Sequence, residues 1–385
     1  MRIGIIMYNY EPNVGSSIAL GRLKSSLESM SSSSTIDLIN VTKNPSDVEG
    51  CINHVVTTPW SGAEYDHLLI NEPTYDVQND WVRENYIKLL NSITASSRSL
   101  WLQGEYTTIT NVDKMMPFYE KVLPTIQTIY TIAPALYEVI FKNIIFKVPG
   151  LHPGLPEISM LPGCGILNTE PTFQIGEKYV NRIGYCARVT SMKKPVFFVR
   201  LMAALQKIDP TLGFDIMGRI EPGIQNVTLQ ENVEKCGYVW DEIYKGEFLS
   251  KPHDTIPGRY VSPVADYLFN WSCSMIGRGN ACNLAPRIEL TTIEAWQQGT
   301  IPILFEETVP DYIPKDAYIS LTWLNINTVR KDIDSEAAKV LDQMRTIQSK
   351  TPEQLHDICK NALESTMSGW GVECNYQSFL DSVKE

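Results

Sequence analysis

The sequence predicts an α/β protein made of two doubly wound, parallel-sheet domains. Three observations predict it. Short, near-continuous apolar runs alternate with segments of helical periodicity, the pattern of strands covered on both faces by crossover helices. The chain has 385 residues, more than one domain of ordinary size accounts for. Between residues 149 and 173 the texture breaks into PGLHPGLPEISMLPGCGILNTEPTF, where proline and glycine exclude a long helix or a central strand. That segment reads as the approach to a linker. It sets expected domains at 1–168 and 169–365, followed by a C-terminal helical segment, 366–385, able to cross back to the first domain.

Taken in order, Arg2-Ile3-Gly4-Ile5-Ile6-Met7-Tyr8 reads as a buried parallel strand. A turn-rich loop from Asn9 to Ser17 follows and opens a helix through Leu20, Leu23 and Leu27. Strand, glycine-bearing loop and helix is how nucleotide-binding α/β domains begin, although Gly15 and Gly21 do not make a complete dinucleotide fingerprint. Further strands are expected at 36–41, 67–71, 100–103 and 125–131, with a helix at 81–93 whose Val82, Tyr86, Leu89, Leu90 and Ile93 share one face. In the second half, strands are expected at 182–186, 214–217 and 300–305. Helices are expected at 195–205, with Pro195 in the first turn, then at 289–298, around 337–347 and at 376–383.

Composition narrows the function classes. Hydrophobic residues make up 43% of the chain and charged residues 20%, ordinary for a water-soluble protein with an ample core. The longest apolar runs are interrupted by charged or amide residues, so no membrane span is expected. No cleavable leader is read at the N-terminus, and the eight cysteines lie singly, without metal-ligand or paired spacing. These features predict a cytoplasmic protein, expected to be a monomer, with no metal site and no permanently bound cofactor. The net charge of −11 argues against a nonspecific polyanion binder, while leaving room for a local basic groove.

Two stretches carry chemistry. In residues 285–305, APRIELTTIEAWQQGTIPILF, Glu289 and Glu294 stand five residues apart. Leu290, Ile293 and Trp296 predict a short helix with one buried face, which Gly299 ends by turning left-handed at no steric cost. Carboxylates at such a helix start can receive ligand hydroxyls while free backbone N–H groups hold a phosphate. Acids there also serve simply to offset the helix dipole. In residues 184–195, GYCARVTSMKKP, a strand ends and a short loop presents Arg188 and then Lys193. A guanidinium fork and a compact ammonium can converge on a diphosphate and stabilise charge on a departing one. A solvated turn with incidental charges is the competing reading.

Arg188 with Lys193, then Glu289 and Glu294, then Gly299-Thr300-Ile301-Pro302, resembles the retaining glycosyltransferases of the GT-B fold. Within them it is similar to the bacteriophage DNA α-glucosyltransferases that modify 5-hydroxymethylcytosine. The segment Leu100-Trp101-Leu102-Gln103-Gly104-Glu105 falls where that family has a strand ending in Gln-His-Asp. The resemblance implies a GT-B protein, two Rossmann-like domains facing a central cleft, with a UDP-sugar donor and double-stranded DNA containing 5-hydroxymethylcytosine as acceptor. It implies that Arg188 and Lys193 hold the donor diphosphate, Glu294 the ribose diol and Glu289 the donor sugar. Gly15 would let the backbone approach the phosphates, and Glu105 would take the acceptor proton. Three departures stand out. Gly104 replaces the family's His, Ala187 the Gly before the Arg, and Lys194 the Gly after the Lys. Such distance leaves the donor sugar open between glucose and a pentose such as arabinose.

A base inside a duplex must be extruded before it can be modified, and Tyr10, Trp101 and Tyr106 are read as loop aromatics able to stack on it. Two other readings remain open on the residues alone. One is the same donor chemistry on a small molecule, a lipid-linked sugar or a polysaccharide. The other is a catalytically idle binding protein that keeps the fold.

Overall fold

The computed structural model of the chain describes every residue except 12–14, 104–111, 133–135, 150, 152–155, 164–167, 173–177, 191–192, 221–225, 248–250, 253–259, 262, 274–287, 323–328 and 385. The chain forms two compact units, Met1–Leu167 with Trp370–Glu385, and Asn168–Gly369.

The first unit is a seven-stranded sheet in the order β3-β2-β1-β4-β5-β6-β7. Its strands are β1 (Arg2–Tyr8), β2 (Thr35–Thr42), β3 (Ile52–Val55), β4 (Tyr65–Asn71), β5 (Ala95–Leu102), β6 (Thr128–Thr131) and β7 (Glu157–Met160). Every neighbouring pair is parallel. Helices α1 (Gly15–Met30), α2 (Asp80–Ser92), α3 (Val112–Val122) and α4 (Leu136–Asn143) supply crossovers. The order reverses between β1 and β4, the switch point at which open α/β sheets receive ligands beyond their carboxyl ends. Ile3, Ile5, Ile6, Leu68, Leu69 and Ile70 in the two central strands are buried, as near-continuous apolar runs require. Edge strands β3 and β7 are only four residues long and half-exposed, and β7 lies in the proline- and glycine-rich stretch, where an edge is tolerated.

The second unit has a five-stranded parallel sheet in the order β14-β13-β12-β8-β9. It contains β8 (Tyr179–Cys186), β9 (Gly213–Met217), the two-residue antiparallel pair β10 (Lys251–Pro252) and β11 (Tyr260–Val261), then β12 (Tyr267–Trp271), β13 (Ile301–Phe305) and β14 (Ile319–Leu321). Its helices are α5 (Pro195–Ile208), α6 (Asn226–Lys235), α7 (Trp240–Ile243), α8 (Leu290–Gln297), α9 (Val329–Gln348) and α10 (Pro352–Gly369). Here the order reverses between β8 and β12.

The last helix, α11 (Val372–Ser382), belongs to the first unit. Phe379 packs edge-on against His67 and Tyr130, with ring centroids 5.4 and 5.3 Å away, and the Tyr376 hydroxyl donates to the Pro162 carbonyl at 2.6 Å. His67 is buried with a serine hydroxyl 2.7 Å from each ring nitrogen, Ser97 and Ser99. Burial pulls its pKa from 6.5 down to about 4. Because the folded chain disfavours the proton, the unfolded chain binds more of it between those two values. Stability is therefore full above pH 6.5 and falls by about 3 kcal/mol as pH drops through about 4. Urea unfolding of the first unit at pH 7 and pH 4.5 will show that loss, and His67→Gln will flatten it.

A candidate donor-binding site in the second unit

The site grows from the carboxyl end of β8. Past Cys186 the chain keeps pairing with the continuation of β9, since the Ala187 N–H donates to the Met217 carbonyl at 3.1 Å and the Val189 N–H to the Arg219 carbonyl at 2.9 Å. That extension holds Arg188 between two buried neighbours, Ala187 and Val189, with its own side chain exposed. Further on, the Lys193 N–H donates to the Thr190 carbonyl at 3.1 Å. Trp271, at the end of β12, donates its indole N–H to the Lys193 carbonyl at 2.8 Å and packs against Phe197, Phe198 and Phe305. A core tryptophan thus fixes the height of the loop.

Lys194 has φ 51° and ψ 47°, left-handed, and caps α5, which Pro195 begins. A side chain there costs about 1 kcal/mol that glycine would not. This is the position where the resemblance noted in the sequence has Gly, so the difference concerns backbone conformation and removes no charged group. Lys194→Gly is expected to raise or leave unchanged the melting temperature, where an exposed Lys→Gly elsewhere lowers it.

Ninety-six residues further along, Glu289 forms the N-cap of α8, and its carbonyl accepts from the Thr292 and Ile293 N–H groups at 3.0 and 3.2 Å. Its carboxylate makes no capping bond. It reaches instead to Lys193, Nζ to Oε2 at 2.5 Å, with the two side chains 14% and 27% exposed. Glu294, one turn on, is buried. The helix does not have the single buried face expected of it: every residue from Thr292 to Gln297 is buried, because this part of the helix is enclosed and not laid on a surface. Its exit follows the expectation, with Gly299 at φ 66°, the Thr300 N–H donating to the Ala295 carbonyl at 2.8 Å and the Gly299 N–H to that of Trp296 at 3.1 Å. The Thr300 hydroxyl then donates to the Tyr267 carbonyl at 2.7 Å, and Lys178 donates to the carbonyl of Ala265 and to Thr300 Oγ1 at 2.5 and 3.2 Å. Burial lowers the Lys178 pKa to about 8.

Thr190 on the loop and Thr291 and Thr292 in the first turn of α8 each carry a buried hydroxyl without a hydrogen-bond partner among the described residues. Sequence reading passed over all three, as threonine in a loop or first turn gives no signal of its own. Such groups are normally satisfied, and they are suited to the oxygens of a ligand.

In the first unit, Gly15 is the first residue of α1. Tyr10 stands on the loop after β1, its N–H bound to Asn40 Oδ1 at 2.9 Å. Trp101 needs correcting: it lies inside β5, is fully buried and donates its indole N–H to the Leu161 carbonyl at 2.9 Å, so it is a core side chain unable to stack on an extruded base. Glu105 and Tyr106, with Gly104, lie outside the described residues. Among the described residues no group of three or more His, Cys, Asp and Glu is placed to hold a metal ion, and no helix is long and apolar enough to cross a membrane.

Two parallel α/β units, each with a ligand-receiving switch point, make this a GT-B fold, and comparison with solved structures bears that out. An alpha-glucosyltransferase (AGT) in complex with UDP superposes with a TM-score of 0.68 at 15% identity, covering 100% of both chains. An alpha-glucosyltransferase in complex with UDP and a 13-mer DNA containing a HMU base gives a TM-score of 0.68 at 13% identity, over 100% of this chain and 99% of the other. The pneumococcal O-GlcNAc transferase GtfA in complex with UDP and GlcNAc gives 0.51 at 14%, over 83% of this chain and 56% of that one. No protein-family model matches the chain, and no curated protein matches it in sequence.

Proposed function

We propose that the chain is a retaining glycosyltransferase that moves a sugar, glucose or a pentose such as arabinose, from a UDP-sugar to the hydroxymethyl group of 5-hydroxymethylcytosine in DNA. The observation that carries this reading is the meeting of Lys193 with Glu289 at 2.5 Å, past the carboxyl end of the switch-point strand β8. The GT-B fold shared with UDP-bound glycosyltransferases supports it, as does the DNA bound by one of them.

In this mechanism the donor diphosphate takes the place of the Glu289 carboxylate on Lys193, with Arg188 gripping the same group. Glu289, so released, accepts the hydroxyls of the donor sugar, and Glu294 accepts those of the ribose. As the bond from sugar to diphosphate breaks, negative charge grows on the leaving oxygen and the two cations stabilise it. Glu105 receives the proton of the attacking hydroxyl, and attack on the face that the diphosphate leaves retains configuration. Gly15, opening α1, gives the phosphates close backbone approach.

The test is to incubate the protein with hydroxymethylated DNA and a panel of UDP-sugars, then weigh the released nucleosides. A nucleoside heavier by one hexosyl or pentosyl group supports the reading and names the donor. Unchanged nucleosides, with the same donors consumed on an oligosaccharide, would transfer the assignment to the polysaccharide-directed alternative, which the net charge of −11 favours.

A further inference from the structure

A second site lies in the first unit, in a groove of about 850 Å³ that the donor chemistry leaves unused. Its floor is the carboxyl ends of β1 and β2, and its far wall is the segment between β4 and α2. It therefore sits at the carboxyl end of the sheet, the end at which a doubly wound sheet receives ligands. Its volume falls in the range of about 300–1,000 Å³ usual for small-ligand sites.

The lining is unusual for a surface. Tyr75 is 66% exposed and Trp81 44%, two large aromatic rings on one short segment, left in contact with solvent. The Lys43 ammonium stands 5.3 Å from the centroid of the Trp81 ring. Asn9, Asn44 and Gln78 line the same groove together with the Asp76 carboxylate, and the Asn9 amide donates to Glu11 Oε1 at 3.1 Å. Asn9 holds φ 57°, a left-handed conformation that costs about 1 kcal/mol or more and is kept where the surroundings demand it. Two of the N-terminal donors of α2 are already used, since Asn79 Oδ1 accepts from the Trp81 and Val82 N–H groups at 3.1 and 3.3 Å.

The geometry points to an unstacked nucleotide of a nucleic-acid strand as the occupant: the base stacks on Tyr75 and Trp81, the amides meet its edge, and Lys43 meets the adjoining phosphodiester. Flat rings serve the π-face that every base has, and amides pair with base edges that combine donors and acceptors. Lys43 favours this occupant over a neutral sugar, which would also lie on an indole but brings no negative charge to the ammonium. The inference rests on the nucleic-acid acceptor of the preceding reading and assigns that acceptor a holding point away from the reacting base.

The test uses the intact protein and a single-stranded oligodeoxynucleotide carrying one 2-aminopurine, whose fluorescence falls when it stacks. Wild type is expected to bind and quench it. Trp81→Ala and Tyr75→Ala should each weaken binding by about five- to 100-fold, from a stacking contribution of roughly 1–3 kcal/mol per base. Trp81→Phe should restore most of the quenching, which a purely structural effect would not predict. Lys43→Ala should reduce the slope of log affinity against log salt by roughly 0.7. UDP affinity, measured by calorimetry, should stay unchanged in all four variants. Equal oligonucleotide binding by wild type, Trp81→Ala and Tyr75→Ala overturns the inference. So does Trp81-dependent binding of maltohexaose with no binding of the oligonucleotide. If the alanine variants glycosylate hydroxymethylated DNA as wild type does, the groove is wrong and the transferase reading stands. If wild type modifies no nucleoside at all, it is the transferase reading that fails.

Discussion

Lys193→Ala will lower kcat/KM for sugar transfer by about 100- to 1,000-fold while leaving the fold intact. The size follows from the role proposed for the group. Removing one preorganised donor aimed at developing negative charge costs about 3–4 kcal/mol of transition-state stabilisation. Lys193 is 14% exposed, so little water stands ready to replace it. Its carbonyl, held by the Trp271 indole, keeps the loop in place whatever the side chain. The fold survives because the abandoned partner, Glu289, is 27% exposed and can take up water. A conservative Lys193→Arg keeps the charge but replaces a point donor with a fork, and it should recover part of the rate. Glu289→Gln separates the roles: it breaks the ion pair yet leaves the ammonium free for phosphate, so UDP affinity should hold while transfer falls. Initial rates with the donor identified by the nucleoside-mass experiment, together with a thermal melt, read all three. Wild-type rates in Lys193→Ala would remove this side chain, and with it the present mechanism, from the reaction.

Gly218→Ala should destabilise the second unit by about 3 kcal/mol and weaken UDP binding together with it. The backbone at Gly218 has φ 146°, and a Cβ placed there would lie 1.9 Å from the Ala187 carbonyl oxygen and 2.7 Å from its carbon. Neither atom can step aside, because the Ala187 and Val189 N–H groups are both paired with the strand that carries Gly218. The Gly218 N–H itself donates to the Gly246 carbonyl at 3.0 Å, and its carbonyl accepts from the Tyr244 hydroxyl at 3.1 Å. Backbone strain contributes about 1–3 kcal/mol and the clash adds to it, which places the substitution in the upper range for single changes. Gly237→Ala is the control. It too has positive φ, 88°, but nothing stands within 4 Å of its Cβ, so it should lose only about 1 kcal/mol. Equal losses in urea titrations of the two variants would show that conformation alone is at work and that Gly218 does not set the loop bearing Arg188.

Much of the architecture is legible along the chain, and the reasons are local. The apolar runs of β1, β2 and β4, the period of α2, Pro195 at the start of α5 and Gly299 after α8 each announce themselves within a few residues. Other elements escaped: β12 and α10 above all, and with them β3, β7, β10, β11, β14, α3, α4, α6 and α7. β12, the central strand Tyr267–Trp271, is five residues of YLFNW, too short to show a period, and its identity as a strand comes from β8 and β13 on either side. α10 carries Leu355, Ile358, Cys359, Ala362, Leu363 and Thr366 on its buried face, a regular helical spacing that was present in the sequence and went unread. The short strands β3 and β14 become strands only by pairing with a neighbour.

By itself the sequence determined the α/β class, the two successive series of strands and helices, and the charged groups that stand at the ends of β8 and the start of α8. Tertiary structure alone decided that Glu289 turns from its own helix to Lys193, ninety-six residues away, that Trp101 is sealed in the core while Tyr75 and Trp81 face solvent, and that α8 is enclosed from Thr292 to Gln297. The physical reason is range. Periodicity, caps and turns are energies of neighbours along the chain, whereas burial and charge pairing are set by whichever distant segments the sheet order brings alongside.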